Sequence, residues 1–169
     1  MLEIRREKPK DAAAVRYVLE QAFRGSDEAD LVKVLRQADK VPISLVAIYD
    51  GQVIGHILFS PVTVASAPSA YRSIGLAPVG VLPEFQRMGI GSLLIQEGLR
   101  ECREAGYDIA VVLGDPVYYS RFGFSRAADY GLGNEYGVDE HFMAIEFRTG
   151  ALAKVSGTVR YQPEFNSVC

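Results

Sequence analysis

A strand, a glycine-containing turn and a helix follow one another in the middle of this chain and constrain its fold most strongly. Residues Ile74 to Val81 form an apolar run typical of a buried strand, and Leu93 to Ala105 have the periodicity of an amphipathic helix. Between them lies the sequence Leu-Pro-Glu-Phe-Gln-Arg-Met-Gly-Ile-Gly-Ser, residues 82–92. The proline and the two glycines allow the backbone to turn sharply. We therefore expect an α/β fold in which a buried strand leads through a tight turn into a helix.

The predicted start of this helix has the chemistry to hold a phosphate group. A helix N-terminus offers unpaired N–H groups and a partial positive charge, and Gly89 and Gly91 place no side chain in front of them. A nucleoside-triphosphate P-loop is disfavoured because Ser92 follows Gly91 directly and no lysine is present. A dinucleotide fingerprint is disfavoured because Leu94 stands where its third glycine belongs. A turn of this kind without any ligand remains an alternative.

Two motifs together carry a resemblance to a known family. Gln86-Arg87-Met88-Gly89-Ile90-Gly91, preceded by Val81-Leu82-Pro83-Glu84, resembles the pyrophosphate loop of the GCN5-related N-acetyltransferases (GNAT). Tyr119-Ser120-Arg121-Phe122-Gly123-Phe124 resembles the Tyr-x-x-x-Gly-Phe segment that follows the fifth strand of this family. The resemblance extends from the first strand to about Phe147, and the double tyrosine after Gly-Asp-Pro is similar to a bacterial subgroup, the YhbS-like acetyltransferases.

The resemblance implies the architecture of the whole chain. We expect a GNAT fold, with a mixed, mostly antiparallel central sheet of about six to seven strands flanked by helices and splayed at the central strand. One N-acetyltransferase domain would cover residues 1–169, with its core at about 2–147 and a C-terminal strand at about 157–161.

The resemblance also implies acetyl-CoA as the cosubstrate, with no metal. In the family, the pantetheine arm pairs with the exposed backbone of the splayed strand. The residues expected to contact acetyl-CoA are Val79, Val81, Gln86, Arg87, Met88, Gly89, Ile90, Gly91, Ser92, Tyr118 and Phe122.

The chemistry of acetyl transfer assigns a role to a tyrosine. A neutral amine attacks the thioester, and the departing thiolate, with a pKa of about 8.5 by analogy with cysteine, needs a proton. A tyrosine hydroxyl stays protonated at neutral pH, and Tyr119 matches the position of the general acid in the family. Tyr118 is expected to be the packing member of the pair, although the two tyrosines could exchange roles, and a purely structural Tyr119 is the alternative. Glu84 is a candidate general base, and His56 and Glu28 are weaker candidates, although no dedicated base is required.

Local patterns predict the remaining elements. The Asp50-Gly51 pair predicts a hairpin turn, and the apolar run Ile109 to Leu113 predicts a buried strand parallel to the central one. Further helices are expected at 9–23 and 28–37, further strands at 2–6, 44–49, 52–64, 141–147 and 158–161, and a surface loop at 125–140.

Composition narrows the function classes. The net charge of −3 gives no general basic surface for nucleic acid, and two cysteines with no disulfide framework suggest a reducing compartment. The charged N-terminus and the lack of a long apolar run indicate a cytoplasmic protein without membrane partners. The acceptor is expected to be a primary amine of a small molecule or a protein, and polyamines, aminoglycosides, amino acids and protein amines all stay open, as does a homodimer. A non-catalytic module that senses acyl-CoA is the alternative function, and a nucleotide-binding protein is a third.

Overall fold

The computed structural model describes residues 1–166, and these contain four α-helices and nine strands. They fall into two compact units, the first formed by residues 1–59, 77–98 and 163–166 and the second by residues 60–76 and 99–162. The predicted mixed, mostly antiparallel sheet with flanking helices is confirmed. That the chain acts as one N-acetyltransferase domain stays a prediction.

The elements lie close to their predicted positions. The helices are α1 (Ala12–Phe23), α2 (Asp27–Gln37), α3 (Ile90–Glu104) and α4 (Pro116–Ser120). The strands are β1 (Leu2–Arg6), β2 (Ile43–Tyr49), β3 (Gln52–Val64), β4 (Ser73–Val81), β5 (Ile109–Leu113), β6 (Ser125–Arg126), β7 (Leu132–Asn134), β8 (Phe142–Glu146) and β9 (Gly157–Arg160).

An antiparallel meander of β1, β2 and β3 forms the sheet of the first unit. Asp50 and Gly51 join β2 to β3 with φ angles of 50° and 77°, as a two-residue hairpin turn requires. One face of the meander is covered by α1 and α2, and the apolar side chains between them form a core. Its fully or nearly fully buried members are Val15, Leu19, Ala29, Leu31, Val32, Leu35, Val46 and Leu58.

Glycines let two helices approach the strands of the first unit closely. A Cβ atom on Gly98 of α3 would lie 2.8 Å from Cζ of Phe59, and one on Gly55 of β3 would lie 3.0 Å from Leu94 of α3. A Cβ atom on Gly80 of β4 would lie 3.2 Å from Leu19 of α1. The predicted helix after the turn is therefore held firmly against the sheet from its first turn onward.

The second unit is built around β5. Residues 73–76 of β4 pair with it in parallel, as predicted, and β8 pairs with its other edge in antiparallel fashion. The ladder between β4 and β5 ends at Leu76 and Val112, two residues before Pro78, which has no N–H to continue it. Pairing between β4 and β5 thus stops before β4 itself ends, as expected for a splayed central strand.

The segment 125–140 differs from the surface loop that the glycines suggest. It contains β6, a short 3-10 turn at Ala127–Tyr130, and β7. Strand β6 pairs with β8, and β7 pairs in parallel with β9, which also pairs with Thr63 and Val64 of β3. These strands of two and three residues are too short to show a hydrophobic period, so nonlocal pairing decides their conformation. They also raise the number of strands above the six to seven expected.

Candidate functional site

The turn after β4 is held in place by hydrogen bonds to β3 and to the end of β4. Pro83–Phe85 form a 3-10 turn, and the N–H of Leu82 donates to the carbonyl oxygen of Ile54 at 2.9 Å. The side-chain amide of Gln86 donates to the carbonyl oxygen of Val81 at 2.9 Å. The Gln86 side chain thus fastens the turn to the end of β4, which is a structural task that the motif alone did not reveal.

The backbone then enters α3 through two left-handed residues. Arg87 has φ of 65° and Gly89 has φ of 84°, and the first helical hydrogen bond runs from the N–H of Leu93 to the carbonyl oxygen of Gly89. The N–H groups of Ile90 and Gly91 precede this bond, so they have no carbonyl partner within the helix. A Cβ atom on Gly89 would meet nothing within 4 Å. The start of α3 therefore presents N–H donors beside open space.

The other residues expected to contact acetyl-CoA in the first unit lie along β4 and the turn. Val79 is half-buried and Val81 is buried, both beyond the end of the ladder with β5. Gln86, Arg87 and Met88 are exposed. The turn is accessible to a ligand, whereas Ile90 is buried, so only its backbone N–H remains a candidate contact.

Tyr119 belongs to the second unit and is carried by the short helix α4. Asp115 caps this helix, with its carboxylate accepting the N–H of Val117 at 3.0 Å, and Pro116 occupies the first turn. The Tyr119 ring packs edge-on against Tyr118 at 5.1 Å between centroids and against Phe124 at 5.6 Å. Only 8% of Tyr119 is exposed, whereas Tyr118 is half-buried. Tyr119, and not Tyr118, is therefore the more tightly packed of the pair.

The Tyr-x-x-x-Gly-Phe spacing has a physical explanation. Gly123 follows α4 with φ of 100°, a conformation that other residues rarely adopt. The chain reverses there, so that Phe124 returns against the ring of Tyr119. Phe122 contacts Tyr118 at 5.3 Å between ring centroids and lies half-buried beside the tyrosine pair.

Burial controls the acidity of the Tyr119 hydroxyl. Removal from water disfavours the phenolate and raises the pKa of Tyr119 to about 12, with a smaller contribution from Tyr118. None of the described residues makes a hydrogen bond with this hydroxyl. The side chain therefore carries its proton throughout the physiological pH range.

The candidate bases lie in very different surroundings. Glu84 is exposed in the 3-10 turn, and Glu28 is half-buried in the first turn of α2. His56 is completely buried in β3, where its Nε2 atom lies 2.9 Å from the Ser44 hydroxyl, which donates in turn to the Glu7 carboxylate. Arg36 also donates to Glu7. His56 is thus part of a buried polar network.

Sequence reasoning missed the other members of that network. Glu7 follows β1, Arg36 ends α2 and Ser44 lies in β2, so only the fold brings them to His56. Burial of the Glu7 carboxyl raises its pKa, but the hydrogen bonds with His56 and Ser44 and the nearby positive charges outweigh this and lower the pKa overall. Burial lowers the pKa of His56.

The described residues contain the features that the sequence motifs predicted: a ladder between β4 and β5 that ends early, a glycine-containing turn, and a helix whose first N–H groups have no carbonyl partner within the helix. The family model described as "Acetyltransferase (GNAT) domain" matches residues 3–127. Because this match covers most of the chain, the protein belongs to the GNAT family, as its motifs predicted.

Individual relatives agree with this assignment over nearly the full length. "Uncharacterized N-acetyltransferase YhbS" of Escherichia coli K12 is 39% identical over 165 residues, which cover 96% of this chain and 98% of the relative. The 1.55 Å crystal structure of E. coli YhbS in complex with CoA has a TM-score of 0.91 and 38% identity, covering 98% of this chain and 92% of the other. A GNAT family acetyltransferase from Brucella melitensis in complex with acetyl-CoA has a TM-score of 0.81 and 41% identity, covering 98% of both chains.

Within residues 1–166, no group of three or more His, Cys, Asp or Glu side chains is arranged to hold a metal ion. None of the described helices is both long enough and apolar enough to cross a membrane.

Proposed function

We propose that this protein transfers an acetyl group from acetyl-CoA to a primary amine. The observation that carries this proposal is the strand–turn–helix segment 81–92, which offers the N–H groups of Ile90 and Gly91 at an accessible helix start. The CoA and acetyl-CoA complexes of the relatives from E. coli and B. melitensis support the choice of cosubstrate.

In this proposal the turn binds the pyrophosphate of acetyl-CoA. The N–H groups and the positive end of the α3 dipole attract the negative charge. Arg87 is exposed in the same turn, and its guanidinium would supply a further positive charge. The backbone of β4 at Val79 and Val81 would pair with the pantetheine arm. The remaining proposed contacts are Gln86, Met88, Gly89, Ser92, Tyr118 and Phe122.

The chemical step consists of one bond formed and one bond broken. The neutral amine nitrogen forms a bond with the thioester carbonyl carbon, and the carbon–sulfur bond of acetyl-CoA then breaks. Tyr119 donates its phenolic proton to the departing thiolate and regains a proton from solvent, and the amine loses a proton to solvent or to a base. Glu84 is the candidate for that base because its carboxylate is exposed to water in the turn.

Substitution of Gly91 tests the proposed cosubstrate site. Gly91→Asp places a side chain and a negative charge where the pyrophosphate would lie, so we expect acetyl-CoA binding to be lost. An aspartate in the first turn of a helix is favourable to the helix dipole, so the substitution should leave α3 folded. Isothermal titration calorimetry with acetyl-CoA measures the loss, and circular dichroism checks the fold.

A matched control separates local from general electrostatic effects. Gly25→Asp adds the same charge at an exposed glycine in the same unit, where a Cβ atom meets nothing within 4 Å. We expect it to bind acetyl-CoA like the unaltered protein. If Gly91→Asp kept its affinity for acetyl-CoA with the fold intact, the pyrophosphate site would lie elsewhere.

A further inference from the structure

The ring of Tyr119 lies directly on the backbone of Gly114, in the space that a side chain at residue 114 would occupy. An ideal Cβ atom on Gly114 would lie 2.7 Å from Cδ2 of Tyr119 and closer still to Cε2. Real Cβ atoms essentially never approach another heavy atom within 3.0 Å. Any residue other than glycine at this position must therefore displace the ring or the backbone.

The backbone on both sides of this contact is anchored. The N–H of Gly114 donates to the carbonyl oxygen of His141 at 2.8 Å, which ties the end of β5 to the residue before β8. The N–H of Tyr119 donates to the carbonyl oxygen of Asp115 at 2.9 Å, and Asp115 caps α4. The backbone thus has little freedom to relieve the clash, and the ring would have to move.

The conformation of Gly114 does not itself require glycine. Its φ angle lies outside the left-handed region, in contrast to Gly123 and Gly131 of the same unit. An alanine at residue 114 would therefore adopt the backbone without strain. The space that a side chain at residue 114 would fill is occupied by the ring of Tyr119, which also packs against Tyr118 and Phe124.

We propose that Gly114 is a positioning residue for Tyr119, and that the absence of a side chain there sets the location of the hydroxyl that protonates the thiolate. This inference rests on the proposed function, because it assigns Gly114 an effect on turnover through the acid. Gly114 itself contacts the ring and takes no part in the chemistry.

The variant Gly114→Ala tests the inference through kinetics. A displaced hydroxyl should lower kcat by about 10²-fold, since misplacing a catalytic group by about 1 Å has effects of this size. The KM and the Kd for acetyl-CoA should stay unchanged. Gly133→Ala is the matched control, because Gly133 lies in the same unit, has ordinary φ and would place its Cβ in open space. We expect its kcat to equal that of the unaltered protein.

A double variant shows whether the effect passes through the hydroxyl. In a Tyr119→Phe background the hydroxyl is already absent, so adding Gly114→Ala should lower kcat no further. Wild-type kcat in Gly114→Ala, or an equal loss in both backgrounds, would overturn the inference. Retained acetyl-CoA binding in each variant shows that the protein is folded.

A spectroscopic measurement separates this inference from the proposed function. With ¹³C at Cζ of the tyrosines, the Tyr119 resonance is identified by its loss in Tyr119→Phe. We expect Gly114→Ala to shift this resonance and Gly133→Ala to leave it in place. If Tyr119→Phe kept full activity, the acid assignment would fail, yet the shifted resonance would still establish that Gly114 positions the ring. An unshifted resonance would overturn the positioning itself.

Discussion

At the scale of single residues, the proposed acetyl transfer depends most on the hydroxyl of Tyr119. Tyr119→Phe removes this group and keeps the ring, so the contacts with Tyr118 and Phe124 should persist. General acid catalysis contributes about 10²–10⁴-fold, and we expect a loss of kcat near the lower end because a thiolate is already a fair leaving group. Steady-state kinetics under conditions where chemistry limits turnover would measure it.

The activity of Tyr119→Phe should also depend on pH in a predictable direction. Because burial raises the pKa of Tyr119 to about 12, loss of its proton should not lower the activity of the unaltered protein below about pH 11. The deficit of Tyr119→Phe should shrink as pH falls, since solvent then supplies the proton more readily. Tyr118→Phe is the control and should have the smaller effect. Equal activity of Tyr119→Phe and the unaltered protein would make Tyr119 a packing residue only.

At the scale of elements, a partly buried polar network joins α2, β2, β3 and the residue that follows β1 in the first unit. Its members are Glu7, Ser44, His56 and Arg36. Because burial lowers the pKa of His56 below 6.5, the folded state binds fewer protons there than the unfolded chain. The contribution of His56 to stability is therefore complete above pH 6.5. It is lost as pH falls toward the pKa that His56 has in the folded state.

The carboxyl of Glu7 also makes the fold less stable as pH falls, but at a lower pH than His56. Its pKa is lowered from 4.5, so the stability it contributes is present above that pH and is lost as pH falls further. We therefore expect the protein to lose stability below pH 6.5 because of His56, and to lose more below pH 4.5 because of Glu7.

Urea denaturation at a series of pH values tests the contribution of His56. Below pH 6.5, the contribution of His56 should fall by at most about 1.4 kcal/mol per pH unit while His56 remains neutral in the fold. His56→Gln should flatten the dependence between pH 6.5 and the folded pKa. His141→Gln should leave it unchanged, because the His141 side chain is exposed. The same slope in His56→Gln and the unaltered protein would refute this assignment.

At the scale of the whole molecule, local patterns predicted the elements that local chemistry determines. The Asp50-Gly51 hairpin, helix α3 and strand β5 each carry their signal within a few residues, and each lies where it was expected. The turn at Gln86 to Ser92 was found in the same way, since its glycines and proline act on the backbone directly.

Features that depend on distant residues could not be predicted. The polar network draws residues from three elements and from the segment after β1, and none has a neighbour in sequence that marks it as buried. Strands β6 and β7 exist because β8 and β9 pair with them, although their own segment is rich in glycine. The contact of Tyr119 with Gly114 depends on how α4 folds back over the end of β5, which a motif does not describe.

The proposed function requires that the acetyl group of acetyl-CoA be transferred to an amine. The most direct measurement is release of CoA from acetyl-CoA, followed across polyamines, aminoglycosides, amino acids and protein amines, with acetylated product identified by mass spectrometry. We expect at least one amine to raise CoA release well above the rate without acceptor, with one acetylated amine formed per CoA. If acetyl-CoA bound at the Gln86–Ser92 turn but none of these amines raised CoA release, the claim of catalysis would be contradicted, and a module that senses acyl-CoA would be the better description.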